Sequence, residues 1–178
     1  MDTNQSDTQG ETNSPAPEID RMKLQMLMQQ IRDNQNLSLA VLGGAVAALV
    51  GAAVWAAITV VTNWQIGFMA IGIGFLVGYV VRRTGQGVDM SFGIVGAVLS
   101  LAGCVVGNYL SACAIIAEFE SVGFFDVLFA IDMQMAIDLM IESFNFMDLL
   151  FYGLAVYYGY KYSFRTLTEG DLLSVVRQ

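Results

Sequence analysis

The chain has 178 residues, 56% of them hydrophobic and 13% charged, with a mean hydropathy of +0.59 and a net charge of −8. Its 8 basic residues are scattered, which excludes a nucleic-acid surface built on a Lys/Arg patch, and it has no histidine, the commonest metal ligand and acid–base group. Charge is segregated from long apolar runs, as a bilayer-spanning chain requires.

Residues 1–17 carry Asp2, Asp7 and Glu11 among Ser, Thr, Asn and Gln, and end on Pro15 and Pro17. With almost nothing to bury, this acidic tail is expected to be disordered. No cleavable signal peptide is expected, because the first 36 residues are polar and a signal peptide puts its apolar core near its start. Over residues 18–36, Leu24, Leu27, Met28 and Ile31 recur at helical spacing, flanked by Arg21, Lys23 and Arg32. The pattern predicts a short cytoplasmic amphipathic helix for a membrane surface, for its own bundle or for a partner helix. Asn36 or Ser38 is placed to cap the next helix.

A span needs about 20 apolar residues. Four segments qualify within a membrane domain at 37–165: about 39–61, 65–81, 92–117 and 147–164. Arg21, Lys23 and Arg32 precede the first, Arg82 and Arg83 follow the second, and Lys161, Arg165 and Arg177 lie at or after the end of the fourth. In a four-span chain all of these fall on one side, so basic-residue placement predicts both termini in the cytoplasm. Residues 166–178 form a cytoplasmic tail. The expected fold is therefore all-α: four transmembrane helices, an extracytoplasmic amphipathic helix and a short cytoplasmic N-terminal helix.

The stretch 118–146 is expected to be interfacial. Asp132 can cap a helix on which Gln134, Asp138, Glu142 and Asn145 share one face, with Met133, Ala136, Ile137, Met140 and Phe144 roughly opposite. Residues 122–131 form a shorter apolar stretch broken by Asp126, either a second interfacial helix or one arm of a re-entrant hairpin.

Small residues form stripes, which let helices approach closely in lipid. Ala40, Gly44, Ala48, Ala52 and Ala56 run at spacing four on the first span, and Ala70, Gly74 and Gly78 on the second. On the third, Gly96, Ser100, Cys104, Asn108 and Ala112 run beside Gly103, Gly107 and Ser111. These faces suit a tight monomeric bundle or a homo-oligomer. Asn108 should face protein, in an interhelical hydrogen bond or a ligand contact. Cys104 and Cys113, nine residues apart, fall on roughly opposite faces of one helix and cannot bridge each other.

Among Glu118, Glu120, Asp126, Asp132, Asp138, Glu142 and Asp148 there is no basic residue. This set reads as a solvated face, or as a cation-attracting pore mouth centred on Asp132, Asp138 and Glu142. The basic turn Arg82-Arg83-Thr84-Gly85-Gln86-Gly87 lacks the P-loop pattern and sets topology, with Gly85 and Gly87 supplying turn freedom. Tyr152, Tyr157, Tyr158, Tyr160 and Tyr162 crowd the fourth span and suit an interfacial belt, as Trp64 does at the opposite surface. No catalytic, cofactor-binding or metal-ligating constellation is present in the sequence.

Three stretches resemble an uncharacterised (conserved hypothetical) family of bacterial four-helix integral membrane proteins. They are Gln65-Ile66-Gly67-Phe68-Met69-Ala70-Ile71-Gly72-Ile73-Gly74 through Arg82, Phe92-Gly93-Ile94-Val95-Gly96-Ala97 through Asn108, and Asp148-Leu149-Leu150-Phe151-Tyr152-Gly153. The resemblance covers about residues 35–165 and implies a bacterial inner membrane and no assigned activity. The expected function is non-enzymatic: an assembly or accessory subunit working through small-residue packing, alone or with a membrane-protein partner. The alternative is a small oligomeric cation channel or transporter with an acidic outer mouth.

Overall fold

The structure is a computed structural model that describes residues 21–62, 67–144 and 146–166. The expected disordered tail at 1–17, residues 167–178 of the C-terminal tail, Trp64, Gln65, Ile66 and Asn145 lie outside the described residues. Among the described residues the chain is all-helical, with seven helices and no strand: α1 (Arg21–Asp33), α2 (Leu37–Thr62), α3 (Met69–Gly85), α4 (Met90–Phe119), α5 (Phe124–Ala130), α6 (Met133–Ser143) and α7 (Phe146–Tyr162). Two of them, α2 and α4, are long and apolar enough to cross a membrane.

The chain divides into two compact units, Met1–Gln29 with Leu167–Gln178, and Gln30–Thr166. In the first, the described residues are the opening turns of α1, where Leu24, Leu27 and Met28 are half-buried and Met22 and Met26 exposed. The second holds the helix bundle.

Local chemistry sets several helix ends in the bundle. The Leu39 N–H donates to Asn36 Oδ1 at 3.0 Å, so Asn36 rather than Ser38 caps α2. The Met135 N–H donates to Asp132 Oδ1 at 2.8 Å at the start of α6. At the end of α3, Gln86 adopts φ 48 and its N–H donates to the Arg82 carbonyl. The left-handed residue of the basic turn is thus Gln86, neither neighbouring glycine. Gly85 and Gly87 serve close approach instead: a Cβ on either would collide with the Phe92 ring. The sequence expectation placed turn freedom at the glycines; packing of Phe92 against the turn is what requires them.

α3 runs four residues past the expected span end at Val81, through Arg82 and Arg83 to Gly85. Hydropathy marks where apolar surroundings would end, whereas the backbone ladder continues until a left-handed residue stops it.

Contacts fix the helix directions. Gly44 faces Val81 and Gly51 faces Ile73, so α2 and α3 are antiparallel. Gly103 faces Ala48, Gly107 faces Ala52 and Ser111 bonds Thr59, so α2 and α4 run in the same direction. Gly74 meets Ala155 and Gly78 meets Gly159, making α3 and α7 parallel, while Gly96 against Ser163 and Cys104 against Tyr152 make α4 and α7 antiparallel. The result is an up-down-up-down bundle. Its core holds Ala40, Ala47, Ala48, Trp55, Ala70, Ile73, Val77, Val81, Phe92, Cys104, Tyr152 and Ala155. α5 packs beside the far end of α4, where Cys113, Ala117 and Val127 form a second cluster.

Candidate functional site

The small-residue stripes are spent inside one chain. Ala40, Gly44, Ala48, Ala52 and Ala56 are all buried, as are Ala70, Gly74 and Gly78 on α3, and Gly96, Ser100, Gly103, Cys104, Gly107, Asn108, Ser111 and Ala112 on α4. Their absent side chains permit backbone-level contact. A Cβ at Gly103 would lie 3.1 Å from Ala48 Cβ, and one at Gly107 would lie 2.8 Å from Trp55 Cε3 and 3.4 Å from Ala52 Cα. At Gly78 it would lie 3.1 Å from the Gly159 carbonyl oxygen. Of the residues expected to pack helices, Gly44, Ala48, Ala52, Gly103 and Gly107 meet across α2, α3 and α4, and Gly74 and Gly78 receive α7.

A line of buried polar groups follows the same stripe down α4. Ser100 Oγ donates to the Gly96 carbonyl at 2.7 Å, and Ser163 Oγ donates to the Gly159 carbonyl at 2.5 Å, so both hydroxyls are satisfied by the carbonyl four residues back. Thr59 Oγ1 reaches both the Trp55 carbonyl at 3.1 Å and Ser111 Oγ at 3.2 Å, joining α2 to α4. Asn108, 3% exposed, is hydrogen-bonded to the Tyr152 side chain, and the Tyr152 hydroxyl donates to the Cys104 carbonyl at 3.4 Å. Asp148 stands one turn before Tyr152 and is half-buried under Gly67. An Asn108–Tyr152–Asp148 run therefore leads from the bundle interior to the end where α5 and α6 sit.

Sequence reasoning placed Asn108 against protein but missed its partner. The signal was the spacing of Tyr152, Ala155 and Gly159, which form the buried face of α7. The two cysteines are free and buried, Cys104 in the main core and Cys113 in the second cluster. Trp55 is 2% exposed, and its Nε1 is the buried side-chain polar atom without a partner among the described residues.

The acidic face is separate from this seam. Gln134, Asp138 and Glu142 are exposed on α6, and Gln134 Nε2 donates to Asp138 Oδ1 at 3.2 Å. Asp132 is occupied as the cap of α6, so it is not equivalent to Asp138 and Glu142. Met135, Ile137 and Ile141 of α6 are exposed as well, Met135 and Ile141 each seven residues from Glu142 and Gln134 respectively and so beside them. Among the described residues no group of three or more His, Cys, Asp or Glu is placed to hold a metal ion.

The opposite end of the bundle is tied by polar contacts. Arg32 Nε lies 3.4 Å from Asp89 Oδ1, and Gln35 Nε2 donates to Asp89 Oδ2 at 3.0 Å. Arg82 Nη2 donates to Thr166 Oγ1 at 2.7 Å, and the Arg165 N–H donates to the Gly87 carbonyl at 2.9 Å. Chemically, the seam can hold helices in register. Comparison with known proteins found no matching family model, no matching curated protein and no matching solved structure.

Proposed function

We propose that the chain is an integral protein of a bacterial inner membrane, spanning it four times through α2, α3, α4 and α7 with both termini cytoplasmic, and that it serves as a non-enzymatic assembly or accessory subunit. The observation that carries the membrane reading is direction. α2 and α4 run the same way, so if both cross the bilayer the chain must cross back between them, and α3 is the helix that lies there. The charge distribution supports the same orientation: Arg32, Arg82, Arg83, Lys161 and Arg165 gather at one end of the bundle, and Glu118, Glu120, Asp126, Asp138 and Glu142 at or beyond the other. The family resemblance in the bundle sequence belongs to this reading and adds no activity to it.

The accessory role follows from where polar and small residues go. The smooth faces build the bundle and the buried polar groups bond one another. The surfaces left for a partner are the apolar shell, the outer α5–α6 layer and the amphipathic α1. Crosslinking in native membranes tests this reading. Adducts to a second copy or to a co-purifying membrane protein are expected; monomer alone, with no partner retained, overturns it.

A cation channel or transporter is the second reading, favoured by the exposed carboxylates of Asp138 and Glu142 with no base anywhere from residue 84 to residue 160. Among the described residues no charged side chain is buried, so an ion path would run between copies rather than through one bundle. Cation flux into liposomes should then fall in the Asp138→Asn, Glu142→Gln double variant. Unchanged flux removes the acidic face from the mechanism.

A further inference from the structure

Beside the second cluster, α2 and α4 part to leave an open groove of about 450 Å³. Its walls are Ala53, Ala56, Ala57 and Val60 on α2 and Leu110, Ala114 and Ala117 on α4; Glu118, at the end of α4, and Val122 and Phe124, just after it, complete the lining. The volume lies in the ~300–1,000 Å³ range of small-ligand sites. The groove is apolar along its length and carries one carboxylate, at one end only.

We propose that this groove holds an acyl chain of a phospholipid whose primary ammonium headgroup is bound by the Glu118 carboxylate. The proposal rests on the membrane reading above. Alanine walls take a flexible hydrocarbon chain along about two helical turns, the length from Ala53 to Val60. Charge selects the headgroup. Glu118 is exposed, Glu120 and Asp126 lie nearby in sequence and are also exposed, and no Lys or Arg falls between residues 84 and 160 to receive a lipid phosphate. A primary ammonium can form a charge-assisted hydrogen bond to the carboxylate, whereas an anionic headgroup would be repelled.

The test uses the full chain, extracted in a neutral detergent and titrated with dioleoyl phosphatidylethanolamine or dioleoyl phosphatidylglycerol under native mass spectrometry. The ethanolamine lipid should be retained about fivefold more, the scale of an exposed ion pair. Glu118→Gln, at an exposed position, should bring the two lipids to equal retention. Ala57→Leu, also at an exposed position, should lower retention of both by filling the groove. Equal retention by the native chain, or retention that neither variant alters, overturns the proposal. So does a dimer that Ala57→Leu dissolves, which would give the groove to a second copy. The membrane reading is checked separately on the membranes before extraction: protein released from them by alkaline carbonate, without detergent, would fail that reading before any lipid is added.

Discussion

At the scale of single residues, two glycines two residues apart make opposite demands. A Cβ on Gly74 would sit 2.8 Å from Ala155 Cα, against backbone that cannot yield, while a Cβ on Gly72 would meet nothing within 4 Å. Gly74→Ala should therefore lower stability by about 1–3 kcal/mol, as overpacking does. Gly72→Ala should be neutral or stabilising by up to ~1 kcal/mol, because alanine is the better helix former. Thermal unfolding of both variants in detergent checks the contrast, and equal shifts would show that α3 and α7 do not touch at Gly74. The stripe of Ala70, Gly74 and Gly78 made this face legible in the sequence. Asn108 was legible for the same reason, since a polar residue within a small-residue stripe has protein beside it. Tyr152 was not. Its helix carries tyrosines at 152, 157, 158, 160 and 162, and composition alone cannot separate the one that turns inward from those that remain on the surface. The distinction lies in spacing: Tyr152 shares its face with Ala155 and Gly159, the small residues that bring α7 onto α3 and α4.

At the scale of elements, helix starts were easier to read than helix ends. Asp132 announces α6 because its carboxylate can accept the Met135 N–H, and that bond is present at 2.8 Å. Asp132→Ala removes the cap and should cost about 1 kcal/mol of local stability. Hydrogen exchange at the first amides of α6 is the readout: faster exchange there, with protection of α2 and α4 unchanged, is expected. Uniform loss of protection would mean that α6 supports the whole bundle. Helix ends depend on signals that hydropathy does not carry. The stop of α3 comes at Gln86, a residue with no special preference for the left-handed conformation, where glycine is usual. Its position is set by Phe92 packing against Gly85 and Gly87, a contact made by residues of the next helix.

At the scale of the whole molecule, the proposed membrane arrangement turns on α3 and α7, each of 17 residues. At about 1.5 Å of rise per residue they are near 25 Å long, against a hydrocarbon core of about 30 Å. Length alone would leave only α2 and α4, of 26 and 30 residues, as spans. Direction argues otherwise: two parallel spans require a return crossing, and α7 lies antiparallel along α4 and parallel to α3. The shorter pair can cross if Arg82, Arg83 and Lys161 reach the headgroup region with their long side chains and the bilayer thins slightly around them. Cysteine labelling with a membrane-impermeant maleimide separates the two arrangements. Cys104 and Cys113 are buried and should stay unreactive. A cysteine at Glu142 should label in intact cells, and one at Thr166 only after the membrane is opened. Labelling of both sites from outside would place Thr166 on the same side as α6 and remove α7 from the set of spans. Because α7 packs antiparallel to α4 and parallel to α3 along their length, that result would overturn the four-span arrangement.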